Sequence, residues 1–316
     1  MSDFCITPYS NQFKKEWDRF VDDSKNGTFL LKRDYLEYHS SRFTDNSLII
    51  THNGSIYAIL PASRRENIVS SHAGLTYGGL ILGKKATTSD VQHLLQSITG
   101  FLAGQGAESL VYKPVPHIYH RLPSEEDLYA LFRLNATLSV RNVSSVIFSE
   151  DRLKFRDIRK SGIRKAIRQN ITISESTDFK TFWQILTSNL HDRYNAAPVH
   201  SVEEIEHLAT LFPDNIRLFG AFDGERMIAG AVIYVTTHVA HCQYISASPD
   251  GKGYGALDLL FDRLINSEFL AKRYFDFGTS NEEKGRVLNE SLIYQKEGFG
   301  ARAICYDTYT VPCKIS

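Results

Sequence analysis

No run in the 316 residues is apolar for the roughly eighteen positions a membrane-spanning helix needs, and the opening MSDFCITPYS lacks a basic-then-apolar leader pattern. A cytoplasmic chain with no membrane span is expected. Cysteine is scarce: Cys5, Cys242, Cys305 and Cys313 are scattered, with no C-x-x-C pair and no histidines at ligand spacing, so free thiols and no metal are expected, with Cys242 and Cys305 buried in strands. An excess of one charge is missing too. The 36 Lys+Arg balance 36 Asp+Glu, which leaves no overall field to draw nucleic acid or an anionic membrane, so charged partners must be recognised locally. What the chain does have is a 42% hydrophobic composition and enough length for two cores.

Periodicity predicts helices over 12–23 and 32–42, then strands 47–51 and 56–60 around the hairpin signal Asn53-Gly54. A helix over 88–104, a strand over 109–112, a helix over 124–133 and a long strand over 137–148 follow. The second half repeats the order: helices near 178–192 and 201–211, the latter opened by a Ser201/Glu204 capping box, then strands 216–222 and 226–236 around Asp223-Gly224. Strand 239–247, helix 254–268, strand 274–277, a helix near 284–294 and a strand over 299–310 complete it. Gly54 and Gly224 lie 170 positions apart, and the long strands at Thr137 and Gly300 lie 163 apart, an offset that suggests duplication. The expected class is α/β (α+β) in tandem domains, each a mixed, mostly antiparallel sheet flanked by helices: 1–150, a basic connecting helix over 151–170, and 171–316.

That connection carries eight basic and two acidic residues between Asp151 and Arg168, with Lys160, Arg164 and Arg168 at four-residue spacing on one helical face. It reads equally as a solvated linker helix or as an anion-binding ridge at a domain junction.

The stretch HCQYISASPDGKGYGALDLLFDRLI, from His241, passes from strand to Pro-Asp-Gly turn to amphipathic helix, with glycines at 251, 253 and 255. Glycines let backbone N–H groups converge without Cβ clashes, and a helix N-terminus adds partial positive charge, which suits a pyrophosphate. The Walker ending Gly-Lys-Ser/Thr is absent, and antiparallel strands before the loop fit the dinucleotide fingerprint poorly. With the later segment Asn289-Glu-Ser-Leu-Ile-Tyr294-Gln-Lys-Glu-Gly298-Phe299, the chain resembles the GNAT superfamily of N-acyltransferases. The tandem order, IRKSGIRKAIRQ, Ala197 to Ser201, Asp276 to Ser280 and Phe299 to Ala301 look like its FemAB-like branch. Within that branch SHAGLTYGG (71–79), KPVPHIYHRLPSEEDLYALFR (113–133) and RNVSSVI look like N-acyltransferases of nucleotide-linked amino sugars in bacterial surface-polysaccharide (O-antigen) synthesis.

The resemblance implies acyl-CoA as donor, of acetyl-CoA or 3-hydroxybutyryl-CoA type, and a nucleotide-linked acceptor of dTDP-3-amino-3,6-dideoxyhexose type; a monomeric chain is expected. It places the coenzyme on Tyr244, Ile245, Ser246, Ala247, Gly251, Lys252, Gly253, Tyr254, Gly255, Ala256 and Asn289. Asp250 stands where the family has Gln or Arg, and a carboxylate there is tolerable only if it points away. The first half lacks alternating glycines in GLILGKKATTSD, so it is expected to serve acceptor recognition or support, with Tyr77 and His72 its least ordinary side chains. Amide formation from a thioester needs proton removal, an oxyanion site and an acid for the thiolate. The resemblance makes Tyr294 the acid. His200 and His72 are candidates for the base; His191, Tyr194, His241 and Gln243, with Tyr77 and the ridge Lys160, Arg164 and Arg168, are candidates for substrate contact. Two rivals stand beside this reading: a FemAB-type aminoacyl transferase acting on peptidoglycan precursors, and a degenerate, non-catalytic binding module.

Overall fold

The computed structural model describes residues 4–38, 40–194 and 196–314, and of Arg193 and Tyr194 the backbone alone. The chain divides into two compact units. One takes in the chain up to Asn142, Asn281–Val287 and the segment from Cys305 on; the other takes in Val143–Ser280 and Leu288–Ile304.

In the first unit the elements run β1 (Phe4–Pro8), α1 (Lys14–Asp23), α2 (Arg33–Glu37), β2 (Thr44–Asp45), β3 (Leu48–His52), β4 (Ser55–Leu60), β5 (Ser63–Arg65), β6 (Ile68–Ser70), β7 (Ile81–Leu82), α3 (Thr88–Gly104), β8 (Ser109–Tyr112) and α4 (Glu126–Arg133). Strand β9 (Thr137–Phe148) starts here and ends in the second unit. Asn53 and Gly54, at φ 50° and 75°, close the β3–β4 hairpin with a turn whose twist suits the strands. Thr87 caps α3 by accepting from the Asp90 N–H. The buried face of α3, Val91, Leu94, Leu95, Ile98 and Leu102, packs with Leu48, Ile50, Leu60, Leu110 and Tyr112 into one core.

The second unit continues with α5 (Asp157–Arg168), β10 (Thr172–Ser176), α6 (Phe179–Tyr194), α7 (Val202–Leu211), β11 (Ile216–Asp223), β12 (Arg226–Val235), β13 (Val239–Ala247), α8 (Pro249–Tyr254), α9 (Ala256–Arg263) with a π turn over Leu264–Glu268, and β14 (Tyr274–Thr279). The chain returns to the first unit for β15 (Asn281–Glu282), crosses back within β16 (Val287–Leu288), forms α10 (Glu290–Glu297) in the second unit, and ends on β17 (Arg302–Pro312), which starts in the second unit and finishes in the first. The sheet of the second unit has the order β10, β11, β12, β13, β14, β9, with β13–β14 parallel and the other pairs antiparallel. The expected capping box is present: Ser201 accepts from the Glu204 N–H and Glu204 reaches back to the Ser201 N–H. Phe219, Ile233, Cys242, Phe261, Phe275, Phe277 and Phe299 fill the core between sheet and α9.

Several expectations are corrected. The helix expected over 254–268 is broken at Gly255, which adopts a left-handed φ of 77° between α8 and α9. The helix expected near 284–294 begins only at Glu290, where Asn289 caps it. The basic segment forms α5, which belongs to the second unit: its Ala166 joins a core with Ile171, Ile228 and Ala256. Cys242 is buried as expected, but Cys305 is exposed, because strand alternation on β17 turns Tyr306 inward instead.

Candidate active site

Strands β13 and β14 pair only over Val239↔Tyr274, Ala240↔Phe275 and His241↔Asp276, and beyond that point the register ends. On its other edge β13 has a bulge: Val232 opposes Tyr244 and Ile233 opposes Cys242, so Gln243 is the extra residue. The bulge bends β13 where it leaves β14, opening a fork. A cavity of about 440 Å³ fills that opening, lined by Leu186, Asn189 and Leu190 of α6, Ile245, Ser246 and Ala247 of β13, Leu257 and Phe261 of α9, and Leu292, Gln295, Lys296 and Phe299 from α10 and the residues just after it. Lys252 and Phe277 complete the wall. Residues from helices on both faces of the sheet line one space, so the cavity passes through the fork. Its walls are apolar, with a few polar groups at defined points, as small-molecule sites are.

Those polar groups are held in place. Asn189 donates through Nδ2 to Ser246 Oγ and Ala247 O, each at 2.8 Å, while its Oδ1 accepts from Lys252 Nζ. At the fork Lys296, itself buried, donates to Gly278 O and Thr279 O, both at 2.8 Å. Burial pulls the Lys296 ammonium down to about 8, because the charged form loses hydration. Lys296 escaped sequence reasoning, although positions 292, 295, 296 and 299 share one helical face and Tyr294 does not.

The glycine turn differs from the open cradle expected of it. A Cβ on Gly251 would lie 2.3 Å from Ile228 O, and one on Gly255 would lie 2.6 Å from Gly162 O, so both serve close packing. Gly253 faces open space. Tyr254 is half-buried, and Ala256 is wholly buried in the core beneath. Asp250 pairs with Arg226 at 2.8 Å.

The remaining candidates scatter. Tyr294 is 55% exposed beneath the Arg156 guanidinium and is not part of the cavity wall. Asn289 caps α10 by accepting from the Leu292 N–H. His200 is buried against Tyr244, whose hydroxyl hydrogen bonds its Nδ1, and burial pushes that phenol up to about 12. Both sit in an aromatic cluster with Trp183. His191 is exposed beside Asp192, and the side chain of Tyr194 lies outside the described residues. On α5, Arg164 and Arg168 are exposed and Lys160 pairs with Asp157 at 3.2 Å; none of the three lines the cavity. In the first unit His72 is buried at φ 62° and lines a separate cavity of about 300 Å³, while Tyr77 is buried with its hydroxyl 3.1 Å from Thr28 Oγ1. His241 and Gln243 remain, the last paired residue before the fork and the bulge beyond it.

A mixed α/β sheet whose parallel strand pair parts over an apolar, helix-flanked cavity defines the GNAT-like fold. Residues 154–284, nearly all of them in the second unit, match the family model described as Acetyltransferase (GNAT) domain. No curated protein matches the chain. Solved structures share the fold over nearly the whole length. A crystal structure of FemX is 11% identical with a TM-score of 0.67, covering 97% of this chain and 96% of that one. The C-terminal domain of a putative lysylphosphatidylglycerol synthetase from Agrobacterium fabrum is 12% identical with a TM-score of 0.61, over 96% and 92%. A tandem GNAT protein from the clavulanic acid biosynthesis pathway is 9% identical with a TM-score of 0.52, over 99% and 100%. At such identities the likeness is one of fold.

Proposed function

We propose that this protein is an N-acyltransferase that moves an acyl group from acyl-CoA to the amine of a nucleotide-linked amino sugar by direct attack. The observation that carries the donor half is the cavity through the β13–β14 fork. An extended pantetheine arm would lie along the free edge of β13, adding to it as a further strand, with Ile245, Leu257, Phe261 and Phe277 around it. Lys252 and Asn189 stand at the α8 end, where the coenzyme phosphates would leave the cavity. The acceptor half rests on the segments beginning at Ser71, Lys113 and Arg141 that resemble sugar acyltransferases.

In this mechanism the amine nitrogen attacks the thioester carbonyl, the C–N bond forms and the C–S bond breaks. Two of the three Lys296 N–H groups are engaged by carbonyls, leaving the third for the developing oxyanion and then for the departing thiolate. The test is a thiol-release assay with acetyl-CoA and 3-hydroxybutyryl-CoA against a panel of nucleotide-linked amino sugars. Thiol release dependent on such a sugar is expected. Release that is equal with free amino sugars would remove the nucleotide from the acceptor, and transfer from an aminoacyl-tRNA without any from acyl-CoA would replace the donor.

A further inference from the structure

The last residue pair before the fork carries a second chemical group. His241 Nδ1 lies 2.8 Å from Asp276 Oδ2, and Asp276 is fully buried. That carboxylate also accepts from the Ser144 hydroxyl and, at 2.8 Å, from the Gly278 N–H, so its oxygens are fixed as acceptors by three donors. An ionised carboxylate can only accept, so the imidazole must present Nδ1–H to it, which leaves the lone pair on Nε2. The imidazole is partly exposed, with its side chain 13% accessible.

Gly278 ties this pair to the cavity. A Cβ there would lie 3.4 Å from His241 Cε1 and 4.0 Å from Nε2, and the carbonyl of the same residue accepts from Lys296, which lines the cavity. Gly278 also has a φ of 75°, which a side chain would strain. One residue without a side chain thus stands between the imidazole and the ammonium, and His241, though not itself on the cavity wall, is the last paired residue before the strands part.

We infer that His241 is the general base that takes the proton from the acceptor amine, with Asp276 as the positioning residue that sets its tautomer; this rests on the acyl-transfer reading above. The amine proton passes to His241 Nε2 as the C–N bond forms, and the thiolate takes its proton from Lys296, so the products are amide and free thiol. His200, by contrast, has its Nδ1 engaged by Tyr244 within an aromatic cluster.

Two measurements on the full chain test this. In protein carrying 15N-labelled histidine, imidazole NMR should show His241 as the Nδ1–H tautomer, and Asp276→Asn should abolish that preference. In turnover, His241→Gln should lower kcat by on the order of 10²- to 10⁴-fold while the Kd for acetyl-CoA stays as in wild type. Added imidazole should partly restore His241→Ala. A merely structural histidine would show no such rescue. An Nε2–H tautomer in the wild type overturns the dyad without any turnover being measured, and wild-type kcat in His241→Gln overturns the base. A wild type with the Nδ1–H tautomer that releases no thiol with any amine overturns the acyl-transfer reading, and the base with it.

Discussion

At the scale of single residues, the ionisable groups that matter are those whose burial is offset by specific hydrogen bonds. Lys296 is the clearest case. Its ammonium titrates near 8, so a step that needs its proton loses rate as pH rises through that value. A pH profile of kcat should therefore fall above about 8, and Lys296→Met should lack that limb and lose roughly 10²-fold in kcat at neutral pH, with acetyl-CoA still bound. Tyr294→Phe is expected to keep wild-type kcat, since the hydroxyl lies off the cavity wall; a large loss would restore Tyr294 as the acid. In the first unit burial raises Asp127 to about 6, while the Tyr112 hydroxyl donates to it at 2.7 Å. A carboxyl raised in the folded state stabilises it below the unfolded value and loses that contribution as pH rises through the folded one. Stability should thus fall between about pH 4 and 6 by roughly 3 kcal/mol at most, and Asp127→Asn should flatten that slope in denaturant titrations.

At the scale of elements, close backbone approach decides more than polarity. A Cβ on Gly162 would meet Asp258 Oδ2 at 1.7 Å, while Asp258 is held by Arg159 at 2.6 Å. Gly162→Ala should therefore cost about 1–3 kcal/mol in chemical denaturation by forcing α5 off α9, whereas Gly253→Ala, into open space, should leave stability near wild type. Much of this level was legible in the sequence. The hairpins at Asn53-Gly54 and Asp223-Gly224, the capping box at Ser201 and the strands around His241 follow from turn chemistry and alternation. The glycine turn was legible as a strand-to-helix junction, but not in its detail. Alternating glycines look alike whether they admit a phosphate or a neighbouring helix, and only tertiary packing distinguishes Gly253 from Gly251 and Gly255. The start of α10 was misplaced because its cap is Asn289, six residues beyond Glu283, with no apolar period to mark the short β16 between.

At the scale of the whole molecule, the reading rests on one property of the second unit: a fork between β13 and β14, widened by the bulge at Gln243 and lined from both faces of the sheet. His241 and Asp276 were adjacent in no sequence motif, since they lie on different strands 35 positions apart and meet only through parallel pairing. Ile245 to Ala247, which line the cavity, were legible as candidate coenzyme contacts because they stand just before the glycine turn. The most direct test is amide hydrogen exchange with and without acetyl-CoA. Slowed exchange confined to residues 242–247 and 252–257 of the second unit is the result expected if the coenzyme arm adds to the free edge of β13. Binding of acetyl-CoA that leaves those amides unprotected, or no binding at millimolar coenzyme, would contradict it.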